Sequence, residues 1–202
     1  MFKRSLRLSA LVFGLLFASF VYAQSVNALL RSPNDPSVGN PKSPVTIVEF
    51  FDFECSHCQN MAPVMAQFIK THPDVRVVFK DYPIRGDMSE YAARAALAAN
   101  MQGKYYPFQH ALLSANTDIT QQLTLDVAKS LKMNLQQFKT DMHSARVTKQ
   151  INANLRMGKE LQLPGTPTFF VGKSNAKSIQ DLYVNVGEMS SSDLQNAVNK
   201  AK

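Results

Sequence analysis

Cysteine is scarce: the 202 residues hold only Cys55 and Cys58. That excludes the scattered disulfide staples of many small exported proteins. The apolar run near the start, Leu8 to Phe20, has 13 residues, short of the ~20 that a membrane-spanning helix needs. No cysteine follows that run, so a lipid-modified N-terminus is not indicated. No basic run is interleaved with aromatics, which leaves nucleic-acid binding without support. Internal repeats are also lacking.

The N-terminus has a clear layout. Lys3, Arg4 and Arg7 form a basic start without an acid nearby, the apolar run follows, and Val21-Tyr22-Ala23 supplies a small-residue cleavage pattern. These are the three parts of a secretory signal peptide, residues 1–23, cut after Ala23. The competing reading is an uncleaved anchor. Cleavage removes three positive charges and no negative ones, taking the formal net charge from +7 to +4. An excess that small fits a solvated surface or a weak attraction to acidic ones. The expected location is the periplasm or an equivalent oxidising compartment. The length fits one domain with an insertion.

Residues 24–44 carry Pro33, Pro36, Pro41 and Pro44 among polar residues and read as an extended leader. Val45 to Phe53 is rich in Val, Ile and Phe, the pattern of a buried central strand. A helix is expected from Cys55 to about Lys70, bent by Pro63. Val75, Val77 and Phe79 alternate on one face of a second strand. A helical block follows over about 87–161, with Glu90 and Arg94 at i,i+4 spacing. Within it, Asn134 and Gln137 resemble a capping box, and Val147, Ile151 and Leu155 repeat as one helix face. Thr168–Val171 and Leu182–Val186 read as strands and Ser192–Lys200 as a last helix. The order is that of an α/β domain over 45–202.

Cys55-Ser56-His57-Cys58 stands between a buried strand and a helix, the placement of a redox motif. Residues i and i+3 of a first helical turn lie ~5–6 Å apart at Cα, which permits a disulfide. Cys55 occupies the helix N-terminus, where free N–H groups and the dipole favour an anion. It is therefore the expected exposed nucleophile, and Cys58, one turn further in, the buried resolving thiol. His57 is placed to stabilise the Cys55 thiolate by a hydrogen bond or positive charge, and Ser56 completes the tuning pair. Two alternatives stand beside this. Zinc normally takes four ligands, whereas this pair offers two and His72, His110 and His143 are not paired at short spacing. An inert structural disulfide would close so small a loop that it adds little stability. No metal or other cofactor is expected.

Glu49 lies six residues before Cys55 inside an apolar strand. Desolvation would raise its pKa and let it relay the proton of Cys58; a strand-edge Glu with its head in water is the alternative. Lys80, on the next strand, is a candidate partner for it.

Val-Glu-Phe-Phe-Asp-Phe-Glu running into Cys55-Ser56-His57-Cys58, then Pro63, the helical block, and Leu163-Pro164-Gly165-Thr166-Pro167-Thr168 together resemble the DsbA family of thiol–disulfide oxidoreductases. The resemblance covers about residues 40–200. It implies a thioredoxin-like fold with an inserted helical subdomain near 87–161. It implies that Thr166-Pro167 is a cis-proline loop facing the sulfurs and holding an extended substrate segment, and that Glu49 is the acid near the resolving cysteine. The function implied is donation of the Cys55–Cys58 disulfide to reduced exported proteins. The implied reoxidant is a DsbB-like, quinone-coupled membrane partner. One departure is Ser56, where the best-known family oxidases have proline. Other readings are a disulfide isomerase or reductase and a non-enzymatic exported interaction protein. Isomerases are commonly dimers with an N-terminal dimerisation domain, for which about twenty residues of leader are too few. A short dimerising arm stays open, so monomer and dimer are both compatible with the sequence.

Overall fold

The computed structural model describes residues 26–115 and 117–202; the signal peptide read from residues 1–23 lies outside them. The elements are β1 (Ser37–Val38), β2 (Val45–Phe51), α1 (Ser56–Thr71), β3 (Arg76–Asp81), α2 (Asp87–Met101), α3 (Tyr105–Leu113), α4 (Gln121–Ser130), α5 (Leu135–Met142), α6 (Ala145–Glu160), β4 (Thr168–Lys173), β5 (Tyr183–Val186) and α7 (Ser191–Ala201). The strands form one sheet in the order β1-β3-β2-β4-β5. β2 and β3 run parallel, joined through α1, and the other pairs are antiparallel.

All seven residues of β2 are buried. A central strand covered on both faces reads as a continuous apolar run, which is why Val45–Phe51 shows no alternation. Its neighbours divide by face. Ile47, Phe51, Val77, Phe79, Phe169 and Val171 pack with α1, α7 and helices of the block between β3 and β4. Val48, Phe50, Val78 and Phe170 form the opposite face.

That second face corrects the leader. Residues 26–31 are helical rather than extended, and Val26, Leu29 and Leu30 pack on Val48, Phe50, Val78 and Phe170. The apolar spacing i, i+3, i+4 of these three is a helix stripe, masked in the sequence by the prolines after it. Further along, β1 pairs with β3 through Ser37↔Val78 and Val38↔Val77. Gly39 then turns the chain with φ +81°, its α-carbon pressed so close to Val75 that a Cβ would sit 1.9 Å from the Val75 carbonyl oxygen.

Lys80 does not meet Glu49. In the parallel register Glu49 lies beside Phe79 and Phe50 beside Lys80, so the period of two sends the charges to opposite faces. Lys80 instead pairs with Asp35 and donates to the Ala28 carbonyl at 2.9 Å. Both side chains are buried; desolvation pushes the Lys80 amine down and the Asp35 carboxyl up, each opposed by the partner's charge. A cavity of about 600 Å³ opens beside this pair, on the sheet face away from the cysteines.

α1 continues through Pro63 without a break. Arg94 pairs with Glu90 at 2.8 Å. Asn134 caps α5 by accepting from the Gln137 N–H at 3.0 Å, but the Gln137 side chain donates to Asp141 instead of returning to Asn134, so only half of the expected box forms.

Candidate active site

Cys55 is the N-cap of α1, with extended φ −89° and ψ 115°. Its carbonyl accepts from the N–H groups of Cys58 and Gln59 at 2.9 and 3.0 Å. The turn that delivers it from β2 is pinned by buried Asp52. One carboxylate oxygen of Asp52 accepts from Glu54 N–H at 2.8 Å, and the other accepts from Ile84 and Arg85 N–H at 2.8 and 3.1 Å. Asp52 thus ties the entry of α1 to the segment carrying Arg85, whose charge favours the Cys55 thiolate.

The expected contrast between an exposed Cys55 and a buried Cys58 is not found: both thiols are free, and both residues are 0% exposed. The reason is the Thr166-Pro167 segment, which is buried, has a cis peptide, and lies over Cys55. Cys55 Sγ donates to the Thr166 carbonyl at 3.2 Å.

The difference between the thiols is electrostatic. Cys55 is lowered from 9.0 to about 5, chiefly by the hydrogen bond from Cys58, then by the Thr166 side chain and a backbone bond of Cys58, all against desolvation. Thr166 Oγ is buried and has no partner while Cys55 is a thiol; its hydroxyl is a donor in waiting for the thiolate. Cys58 is driven far up by burial, by its bond to Cys55, and by the nearby charge of Glu49.

Glu49 is 2% exposed, with Oε2 unpaired. Burial alone raises its carboxyl from 4.5 to about 8, so it is protonated at neutral pH. The strand-edge alternative for Glu49 is excluded by this burial.

His57 departs from expectation. It is exposed, and it contributes nothing to the lowering of Cys55. Its Nδ1 lies 2.7 Å from Glu188 Oε1, because Glu188, in the turn after β5, offers a carboxylate on the outer side of α1. Ser56 is exposed next to it. Among the described residues no group of three or more His, Cys, Asp or Glu is gathered to hold a metal ion.

Arg85, Asp81 and Glu188 have no part in the reading of the sequence, and Asp52 enters it only as one member of the run before Cys55, without a role. Asp81 had a signal. The alternation that puts Val75, Val77 and Phe79 on one face puts Asp81 there as well, buried and accepting from Tyr105 Oη at 2.9 Å. Burial raises its carboxyl to about 8. Glu188 and Arg85 had none, since only the tertiary fold brings them to α1.

A family model described as Thioredoxin matches residues 31–192. Among solved structures, a thioredoxin-like oxidoreductase from Silicibacter pomeroyi is 35% identical, with a TM-score of 0.78 over 87% of this chain and 96% of its own. The thiol-disulfide exchange protein alpha-DsbA2 from Wolbachia pipientis has the same fold, at 24% identity and a TM-score of 0.78 over 92% of this chain and 98% of its own. A probable disulfide bond formation protein D of Bacillus cereus is 27% identical over 158 residues, 72% of this chain and 73% of that protein. A Na(+)/H(+) antiporter NhaA of Salinispora tropica is 32% identical over 149 residues, 70% of this chain and 23% of the antiporter. The chain spans about a quarter of the length of such antiporters.

Proposed function

The chain belongs to the thioredoxin family, and from that premise we propose that it is a DsbA-like thiol–disulfide oxidoreductase that donates the Cys55–Cys58 disulfide to reduced, exported proteins in the periplasm. The observation that carries this reading is the split between two adjacent buried thiols, one lowered to about 5 and the other raised. A thiolate stabilised by the fold stabilises the reduced form, and so makes the disulfide the stronger oxidant.

The steps follow from that split. A substrate thiolate attacks Cys55 Sγ of the disulfide; the Cys55–Cys58 bond breaks, and Cys58 leaves with the electron pair. As a poorly stabilised thiolate, Cys58 takes a proton, and Glu49, protonated beneath it, is the donor. A second substrate thiolate attacks the substrate sulfur of the mixed disulfide. Cys55 departs as the thiolate that its surroundings favour. The substrate has lost two electrons, and the pair Cys55–Cys58 has gained them. Pro167 and Thr166, over Cys55, hold the extended substrate segment. Reoxidation falls to a DsbB-like, quinone-coupled membrane partner that accepts the two electrons. Among the described residues no helix is long and apolar enough to cross a membrane.

The test is the equilibrium potential of the Cys55–Cys58 couple, titrated against glutathione. A value well above that of the glutathione pool supports a disulfide donor. A value well below it replaces donation by reduction or isomerisation.

A further inference from the structure

Glu188 lies in a fixed position beside the dithiol. Gly187 before it donates its N–H to the Pro167 carbonyl at 2.8 Å. Met189 after it is 4% exposed and donates its N–H to Met61 Sδ on α1 at 3.2 Å. The carboxylate is thereby clamped between the proline loop and the active-site helix. Its Oε1 accepts from Asn60 Nδ2 at 2.9 Å and faces His57 Nδ1 at 2.7 Å. Bonds from Asn60 and His57 hold the Glu188 carboxyl below its ordinary range.

His57 sits between the two cysteines in sequence, two residues after Cys55 and directly before Cys58. A helix-start imidazole there has two places to go: inward toward the Cys55 sulfur, or outward to a carboxylate. We propose that Glu188 is a positioning residue that tethers His57 outward, withholding the imidazole from the Cys55 thiolate and so setting the couple less oxidising than the motif alone would make it. The inference rests on the dithiol reading above.

The physical basis is competition. Swinging inward, His57 would favour the reduced form through a bond to the thiolate, but it must first give up the Glu188 carboxylate. An exposed pair of this kind contributes a small free energy. Losing the tether therefore shifts the glutathione equilibrium toward the reduced protein by about two- to fivefold.

The test is a double-mutant cycle read in two ways: the glutathione equilibrium constant and the pH at which Cys55 thiolate absorbance appears. Glu188→Ala is expected to shift the equilibrium toward the reduced form and to lower the thiolate transition. Asn60→Ala, which removes only the second hold on the carboxylate, should give a smaller shift of the same sign. In the His57→Ala background, Glu188→Ala should change neither readout. An equal shift with and without His57 overturns the inference, since the carboxylate would then act on the thiolate directly. No shift, or one toward the oxidised form, overturns it as well; the latter would mean that Glu188 supports the thiolate instead of withholding His57 from it. A parent protein without a titrating Cys55–Cys58 couple fails the dithiol reading itself, whereas a couple indifferent to Glu188 fails only this step.

Discussion

Reduction of the Cys55–Cys58 disulfide is the perturbation that tests the electrostatics most directly. With the folded Cys55 thiol near 5 against an ordinary 9.0, the reduced fold gains stability that is complete above pH 9 and is lost as pH falls through 5. Each pH unit inside that window is worth ~1.4 kcal/mol. At pH 7 the gain is about 3 kcal/mol, and at pH 5 it is under about 0.5 kcal/mol. The disulfide works the other way by constraining the unfolded chain, by about 2 kcal/mol for a loop this small, without dependence on pH. Glu49 and Asp81, each raised to about 8, keep their protons in the folded protein from pH 5 to 7, so the change over that window reads Cys55. The stability of the reduced form relative to the oxidised form should therefore rise by ~2 kcal/mol from pH 5 to 7. The gain at pH 7 corresponds to ~60 mV of added oxidising potential for a two-electron couple. The assay is urea unfolding of each form, followed by circular dichroism because the chain has no tryptophan. A difference that does not change with pH would refute the claim that the fold ionises Cys55.

Four further outcomes are expected. Glu49→Gln, in the oxidised protein, removes a carboxyl raised from 4.5 to about 8; parent stability is undiminished by this group below pH 4.5 and declines as pH rises to 8, so the variant's advantage should grow by ~3–5 kcal/mol over that window. Identical pH profiles in denaturant would show that Glu49 is hydrated. Asp35→Ala leaves buried Lys80 without its counter-charge and should cost about 3–5 kcal/mol in urea unfolding at pH 7. Gly39→Ala combines a left-handed φ with a Cβ 1.9 Å from the Val75 carbonyl, and a loss of about 2–4 kcal/mol is expected by the same measurement. Cys58→Ser, offered substrate proteins in their disulfide form, should trap mixed disulfides on non-reducing gels, because the Cys55 thiolate attacks the substrate disulfide, releases one substrate thiolate and meets no resolving thiol, whereas Cys55→Ser should trap none.

The sequence made the strands and the dithiol legible because both are local. Val45–Phe51 announces a buried strand by composition, and Cys55 to Cys58 announces chemistry by spacing and by isolation from any other cysteine. The helix of residues 26–31 was hidden because six residues carry less than two turns of periodicity, and the prolines after it dominate the local pattern. His57 and Lys80 show a different limit. Each was matched with a group near in sequence or on the neighbouring strand, yet each has its partner elsewhere: Glu188 131 residues away and Asp35 45 residues away. For a charged side chain, the partner is fixed by which face it leaves from, and a strand changes face at every residue. The apparent exposure of Cys55 failed for the same kind of reason, since the loop that covers it comes from position 166.

Burial by itself does not decide what these groups do. Cys55, Cys58, Glu49 and Asp81 are all removed from water, and desolvation pushes each toward its neutral form. Only Cys55 goes down, to about 5, because donors converge on it: the Cys58 thiol, the otherwise idle Thr166 hydroxyl and the start of α1. Glu49 has an unpaired oxygen and is raised to about 8; Asp81, where burial outweighs the bonds from Tyr105 and from its own backbone, rises as far. A buried site with donors aimed at a single sulfur keeps that sulfur ionised while Glu49 keeps its proton. A thiolate and a proton source can then coexist in the same core at neutral pH. Breaking the disulfide needs that combination, because one sulfur must leave as an anion that is tolerated and the other must be supplied with a proton.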